Sequence, residues 1–103
     1  MEDHAVIVHF QYGSRDLQAM FDLEDKLERA IAEAGAGEYD GNEIAVDGSD
    51  GSLYMYGPDA DALTDVVRPI LAAAPFMNGA TITKRYGPRE DGVREAEEVI
   101  GAR

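Results

Sequence analysis

Residues 5–34 place a strand-forming segment directly before a long amphipathic one. Residues 5–12 are rich in β-branched and aromatic side chains, which favour a buried β-strand. From Leu17 to Ala34, apolar side chains recur three or four residues apart, with charged side chains between them. This change of period limits the chain to folds in which a strand is followed by a helix that packs against it.

The ends of this first helix carry recognisable signals. Ser14 is a candidate N-cap, and Asp16 would lie in the first turn, where negative charge is favoured. Gly35 and Gly37 follow the last apolar position, and helices often end at a glycine in the left-handed conformation. We therefore predict a helix that begins just after Ser14 and ends at a glycine.

The remainder of the chain predicts three further strands and a second helix. Alternating side chains indicate the strands, and acidic residues in a first turn indicate where the helix begins. Pro69 interrupts the apolar pattern of this helix and predicts a kink or a break. The predicted strands are 43–46, 52–56 and 80–86, the helix opens at 59–63, and the connections include 37–42 and 47–51.

Residues 93–100 are open to two interpretations. Their Glu and Ala content favours a helix with Val93, Ala96 and Ile100 on one side, and this is the preferred interpretation. The preceding residues 87–92, Gly-Pro-Arg-Glu-Asp-Gly, would also suit a hairpin loop that leads into an edge strand.

The order β-α-β-β-α-β, over about residues 4–87, resembles the ferredoxin-like α/β plait. The resemblance implies an α+β fold with a four-stranded antiparallel or mixed sheet, in strand order 4-1-3-2, and two helices on one face. Residues 1–103 would then form one domain, with a short C-terminal element at 88–103. In acidity, size and layout the chain is also similar to regulator of ribonuclease activity B, a protein inhibitor of ribonuclease E, but no motif identifies a named family.

Composition excludes several classes of partner and site. The 21 acidic and 9 basic residues give a net charge of −12, which disfavours nucleic acids and anionic membranes and suits a basic partner. The chain has no cysteine, so thiol nucleophiles, disulfides and cysteine-based zinc sites are excluded. Because the sequence shows no signal-peptide pattern and no apolar run long enough for a bilayer, we expect a cytoplasmic protein.

Strand alternation predicts which side chains the helices leave uncovered. Successive side chains point to opposite faces of a sheet, and the more apolar set of each strand belongs against the helices. The remaining sets form a mixed aromatic and polar surface, which is typical of an interface. Half-buried tyrosines beneath the C-terminal tail, or beneath a second copy of the chain, would give the same pattern. The predicted surface has His9 and Gln11 beside Tyr54 and Tyr56, with Thr83 and Arg85 on one flank and Glu43 and Asp47 on the other.

Residues with catalytic or metal-binding chemistry are few. The loop 47–51 lacks the ligand spacing of an EF-hand, and a strand rather than a helix follows it, so we predict a hairpin turn. His4 and His9 would lie on opposite faces of a strand and could not share a metal. No set of nucleophile, base and orienting group is evident, so we predict no catalytic residue, metal or cofactor. A lone acid–base role for His9 beside Tyr54 or Tyr56 is the alternative.

Three hypotheses of function follow. The preferred one is a non-enzymatic binding or regulatory module that uses its open sheet face for another protein or for homodimerisation. The second is a small enzyme or small-molecule sensor with a pocket over His9, Tyr54, Tyr56 and Arg85, in which Arg85 would hold an anionic group. The third is an acidic inhibitor or immunity-type protein for a basic nuclease or toxin, and the net charge supports it.

Overall fold

The computed structural model describes residues 3–88 and 92–101, which form five strands, two α-helices and one 3-10 helix. The elements are β1 (His4–Gln11), α1 (Gln18–Ala34), β2 (Glu38–Ile44), β3 (Asp50–Gly57), α2 (Ala60–Ala72), a 3-10 helix (Pro75–Met77), β4 (Thr81–Arg85) and β5 (Glu95–Val99). All strand pairs are antiparallel, and the sheet order is β2-β3-β1-β4-β5. The α+β class is confirmed. The predicted four-stranded sheet is not confirmed, because the described residues form a sheet of five strands.

The fifth strand replaces the helix that composition favoured at residues 93–100. β5 pairs with β4 from Thr81 opposite Val99 to Arg85 opposite Glu95. Ile100 continues this pairing, since its N–H donates to the Ala80 carbonyl at 2.8 Å, and its own side chain is buried. Local helix propensity is a weak preference, and the sheet edge together with the burial of Ile100 overrides it. The alternative of an edge strand is therefore confirmed, whereas residues 89–91 of the loop predicted at 87–92 lie outside the described residues.

One hydrophobic core lies between the sheet and the two helices. Alternate side chains of β1, β3 and β4 enter it, as the sequence predicted, and so do the apolar stripes of both helices. The helices therefore pack on the same face of the sheet. No helix in the described part of the chain is long and apolar enough to cross a bilayer. The central buried side chains are Val6, Val8, Phe10, Leu53, Met55 and Ile82 from the strands, and Met20, Leu27, Ile31, Leu63, Val67 and Leu71 from the helices.

β2 begins earlier than predicted. Most of the segment expected to be an irregular connection, residues 37–42, belongs to this strand. The strand also ends earlier than the predicted 43–46, at Ile44, and Val46 is fully exposed in the turn that follows. The register with β3 shifts between Tyr39 and Gly41, which marks a β-bulge. Aspartate, asparagine and glycine have low strand propensity, so the local sequence does not predict the first part of β2 as a strand.

The start of α1 differs from the prediction in its capping residue. The helix begins at Gln18, and Leu17 holds the N-cap position without a side-chain hydrogen bond. The Ser14 hydroxyl instead accepts from the N–H of Asp16, whose carboxylate accepts from the N–H of Gln18. These two side chains therefore shape the turn that precedes the helix. The predicted glycine end is confirmed, because Gly35 adopts the left-handed conformation with φ 62°.

α2 has two groups that accept hydrogen bonds at its first turn. Asp59 is the N-cap, and its carboxylate accepts from two backbone N–H groups of that turn. His4 lies at the start of β1, and its Nδ1 accepts from the N–H of Ala60 at 3.0 Å. Helical residues continue without a break through Pro69 to Ala72, so the predicted break does not occur.

Candidate functional site

The six predicted site residues lie on the face of the sheet that carries no helix. Strand register arranges this surface in rows that run across all five strands, and we call it the open face. The first row is Glu38, Tyr56, Ala5, Arg85 and Glu95. The second is Gly41, Tyr54, Ile7, Thr83 and Glu97, and the third is Glu43, Ser52, His9, Thr81 and Val99. Gln11 lies beyond the third row, opposite Asp50.

The flanks of the open face differ from those that the sequence predicted. β5 lies outside β4, so Thr83 and Arg85 are interior positions, and Glu95 and Glu97 form that edge. β5, which belongs to the predicted C-terminal element, widens the sheet at the β4 edge and does not lie across the tyrosines. Asp47 was expected on the other edge but belongs to the turn, where its carboxylate accepts from the N–H of Ser49. The hydrogen bonds from Ser49 lower the pKa of Asp47.

Carboxylates line both edges of the open face, and we call four of them the flank carboxylates: Glu38, Glu43, Glu95 and Glu97. Within residues 3–88 and 92–101, none of the four forms a salt bridge. Arg68 and Lys84 form their ion pairs on the helix side of the sheet. Arg85 is on the open face, but its Nε donates to the Gly87 carbonyl at 2.9 Å. The open face therefore has acidic edges that these described cations do not neutralise.

Tyr54 is tied to one of the flank carboxylates. Its hydroxyl donates to Glu43 Oε1 at 2.5 Å, across the β2–β3 pair. This hydrogen bond, which favours the neutral phenol, is the main cause that raises the pKa of Tyr54. Because the carboxylate fixes the hydroxyl, the ring of Tyr54 is held at a defined position on the sheet.

A shallow cavity of about 400 Å³ lies beside the two tyrosines at the β2 edge. We call it the tyrosine depression, and the bulge of β2 forms one side of it. Its lining combines aromatic rings with carboxylates, a pair of chemistries that suits a positively charged group. The lining residues are Asp40, Gly41, Asn42, Glu43, Tyr54 and Tyr56.

His9 belongs to a separate polar cluster. Its Nδ1 lies 3.2 Å from Ser52 Oγ, and its Nε2 lies 3.4 Å from Asp50 Oδ2. Neither tyrosine is its neighbour across the strand pair, because the register places Ser52 opposite His9. The three residue types are those of a hydrolytic triad, and sequence reasoning did not join them. Ser52 lies in β3, between β2 and β1. The backbone N–H groups of such a strand hydrogen-bond to its neighbours, so they are not available to stabilise an oxyanion.

A second cavity lies on the opposite side of the molecule, between the two helices. Its volume is about 510 Å³, and it is mainly apolar with Asp22 and Lys26 at its rim. None of the predicted site residues lines it. The other lining residues are Ala19, Leu23, Pro69, Ile70, Ala73, Ala74, Pro75 and Phe76.

The described residues contain no group of three or more His, Asp or Glu side chains placed to hold a metal ion. Comparisons with protein-family models, with curated proteins and with solved structures found no match to this chain. The candidate function therefore rests on the residues of the open face.

Proposed function

We propose that this chain is a non-enzymatic binding module whose open face docks a basic protein. The observation that carries the proposal is the set of flank carboxylates, which form no salt bridge within the described residues and lie on either side of a strip that contains Tyr54 and Tyr56 and a single cation, Arg85. Tyrosine suits a protein interface because its ring is apolar and its hydroxyl finds a polar partner. The net charge of −12 would attract a basic partner over a longer range.

Charge favours a basic partner over a second copy of the chain. Stacking two open faces with their strands aligned, parallel or antiparallel, would bring acidic edges together, because Glu38 and Glu43 lie on one edge and Glu95 and Glu97 on the other. Like charges in a partly desolvated interface cost free energy. A basic surface would instead neutralise both edges. Inhibition of a basic nuclease or toxin is one biological form of this function.

The pocket of the second hypothesis has less support. Arg85 and Tyr56 lie on either side of Ala5 in the same row, which separates them by two strand spacings, or about 10 Å. The tyrosine depression opens at the β2 edge, away from His9 and Arg85. The four residues therefore do not converge on one small ligand.

The proposed function is compatible with the arrangement of the strands and α-helices from β1 to β4. We propose that β1, α1, β2, β3, α2 and β4 form a ferredoxin-like plait that β5 extends at one edge. The order β2-β3-β1-β4 and the two helices on one face support this proposal. Such a fold leaves one sheet face without helices and so available for a partner.

The test is an NMR titration of the labelled protein with a defined basic probe. The probe is a short peptide of alternating arginine and valine, which can lie extended across a sheet, and its control replaces each arginine with neutral citrulline. We expect backbone shift changes at open-face residues such as His9, Tyr54 and Thr83, and weaker binding as salt increases. Equal binding of the citrulline peptide, or shift changes spread over the helices as well, would contradict the proposal.

A matched pair of variants separates local recognition from net charge. The double substitution Glu43→Lys and Glu97→Lys changes the open face, whereas Asp25→Lys and Glu33→Lys make the same change in net charge on exposed positions of α1. We expect the first pair to weaken peptide binding by about tenfold or more, and the second by about twofold. Equal losses would show that only net charge is recognised, and the open face would then have no special role.

A further inference from the structure

Tyr86 is another tyrosine whose hydroxyl is hydrogen-bonded to a carboxylate, and here a cation also lies over the ring. Its hydroxyl donates to Asp61 Oδ1 at 2.6 Å. The guanidinium carbon of Arg94 lies 4.2 Å from the centre of the Tyr86 ring, a cation–π contact. The chain therefore already contains an arginine that stacks on a tyrosine whose hydroxyl is held by an acidic side chain.

Tyr54 has the same hydrogen bond from hydroxyl to carboxylate, but its ring lacks the stacked cation that Tyr86 has in the described structure. Its hydroxyl donates to Glu43 at 2.5 Å, and within residues 3–88 and 92–101 no arginine or lysine forms a cation–π contact with Tyr54 or Tyr56. Both rings line the tyrosine depression, together with the carboxylate-bearing residues Asp40 and Glu43. The contrast with Tyr86 is that the cation is absent from this part of the described structure.

We propose that the tyrosine depression is a binding site for one arginine side chain of the basic partner. The guanidinium group would stack on the tyrosine rings, and Glu43 and Asp40 would supply acceptors for its N–H donors. A planar guanidinium suits this combination better than an ammonium group, because it can stack on a ring and donate directed hydrogen bonds to a carboxylate at the same time. The cavity, about 400 Å³, has room for the end of such a side chain.

This inference rests on the proposed function, since it names the anchor of the same partner. It is tested with a single-residue probe, N-acetyl-arginine methylamide, beside its citrulline and lysine analogues. We expect the arginine probe to shift the ring resonances of Tyr54 and Tyr56, and its own δ-methylene protons to move upfield because they lie over a ring. The lysine analogue should bind about threefold to fivefold more weakly, and the citrulline analogue should not shift these resonances.

Two single substitutions distinguish the depression from the rest of the acidic face. Glu43→Gln and Glu97→Gln remove the same charge from opposite edges of the open face, but only Glu43 lines the depression. We expect Glu43→Gln and Tyr56→Leu to weaken the arginine probe by about fivefold to tenfold, and Glu97→Gln to change it by less than about twofold. Backbone spectra of each variant establish that the fold is retained.

The outcomes separate the two proposals. One outcome is that the arginine–valine peptide binds the open face, but Glu43→Gln and Glu97→Gln lower the affinity for the arginine probe equally. The proposed arginine site would then be wrong, and the proposed docking face would remain supported. Equal binding of the arginine and citrulline probes would also overturn the site. If neither the peptide nor the probe perturbs the open face, both proposals fail.

Discussion

Arg68 of α2 forms a two-point ion pair with Glu98 of β5. The guanidinium Nε lies 2.8 Å from Glu98 Oε2, and Nη2 lies 2.9 Å from Oε1. Lys84 of β4 approaches the same carboxylate at 3.6 Å and Asp61 at 3.2 Å. This network joins the fifth strand to the second helix, and β5 is therefore fixed by side chains as well as by its pairing with β4.

Loss of the Arg68–Glu98 pair is expected to destabilise the protein modestly. Both side chains are partly exposed, so solvent screens the pair, and we expect Arg68→Met to lower the free energy of unfolding by about 1 kcal/mol. Urea denaturation measures the change. The control is Arg29→Met on the exposed side of α1, for which we expect a change below about 0.5 kcal/mol. Equal effects of the two substitutions would contradict the structural role of the pair.

Acid should remove the contribution of Glu98. The hydrogen bonds from Arg68 lower the pKa of Glu98 below its ordinary value of 4.5. A lowered pKa means that the stabilisation is complete above about pH 4.5 and is lost as the pH falls through the folded-state value. We therefore expect the stability difference between the native protein and Glu98→Gln to be constant near neutral pH and to shrink in acid. A difference that grows in acid would contradict this.

Tyr39 should contribute stability that alkali removes. Burial is the first cause that raises its pKa, and its hydrogen bond to Glu24 is the second. A raised pKa means that the stabilisation is complete below the ordinary value of 10.0 and is lost as the pH rises above it. We expect Tyr39→Phe to cost about 1 kcal/mol at neutral pH. In denaturation curves measured through the alkaline range, the native protein should lose this advantage.

Gly37, which directly precedes β2, and Gly41, which lies within it, are a matched pair for substitution. Both have positive φ, 147° at Gly37 and 132° at Gly41. A Cβ at Gly37 would lie 2.0 Å from the Tyr56 carbonyl oxygen, whereas a Cβ at Gly41 would have nothing within 4 Å. We expect Gly41→Ala to cost about 1 kcal/mol of backbone strain, and Gly37→Ala about 2 kcal/mol more because of the clash. Equal losses in urea denaturation would show that the backbone contact is unimportant.

The acidic edges should keep the purified protein monomeric. Stacking of open faces would oppose Glu38 and Glu43 to carboxylates of the second copy, and this repulsion is strongest at low ionic strength. We expect a monomer at low salt in sedimentation equilibrium. A stable dimer that Tyr54→Ser and Tyr56→Ser dissociate would overturn the preference for a basic partner and favour homodimerisation.

Local patterns predicted the core of the fold because they act through the nearest neighbours of each residue. The stripe from Leu17 to Ala34 and the alternation of Leu53, Tyr54, Met55 and Tyr56 identify faces directly, whatever the rest of the chain does. The same alternation placed His9 and the tyrosines on the face opposite the helices. These assignments needed only the period of apolar side chains.

The errors have a different origin. Glu95–Val99 forms a strand because β4 offers an unpaired edge and Ile100 a buried end, and neither fact is visible in a segment rich in Glu and Ala. The predicted strand 43–46 missed the first part of β2 for a similar reason. That part contains the bulge and Gly41, and its pairing with β3 is not visible in the local sequence. Register likewise decided that His9 meets Ser52 and Asp50.

The sequence by itself determined the α+β class, the buried face of each long element and the strongly acidic charge. Tertiary structure decided where that charge lies: Glu43 beside Tyr54 at one edge, Glu95 and Glu97 at the other, and Arg68 and Lys84 paired on the helix side. The physical reason is that side-chain period is a local property, whereas strand register and ion pairing join residues far apart in the chain. The tyrosine depression lies where the bulged strand β2 meets the tyrosines of β3.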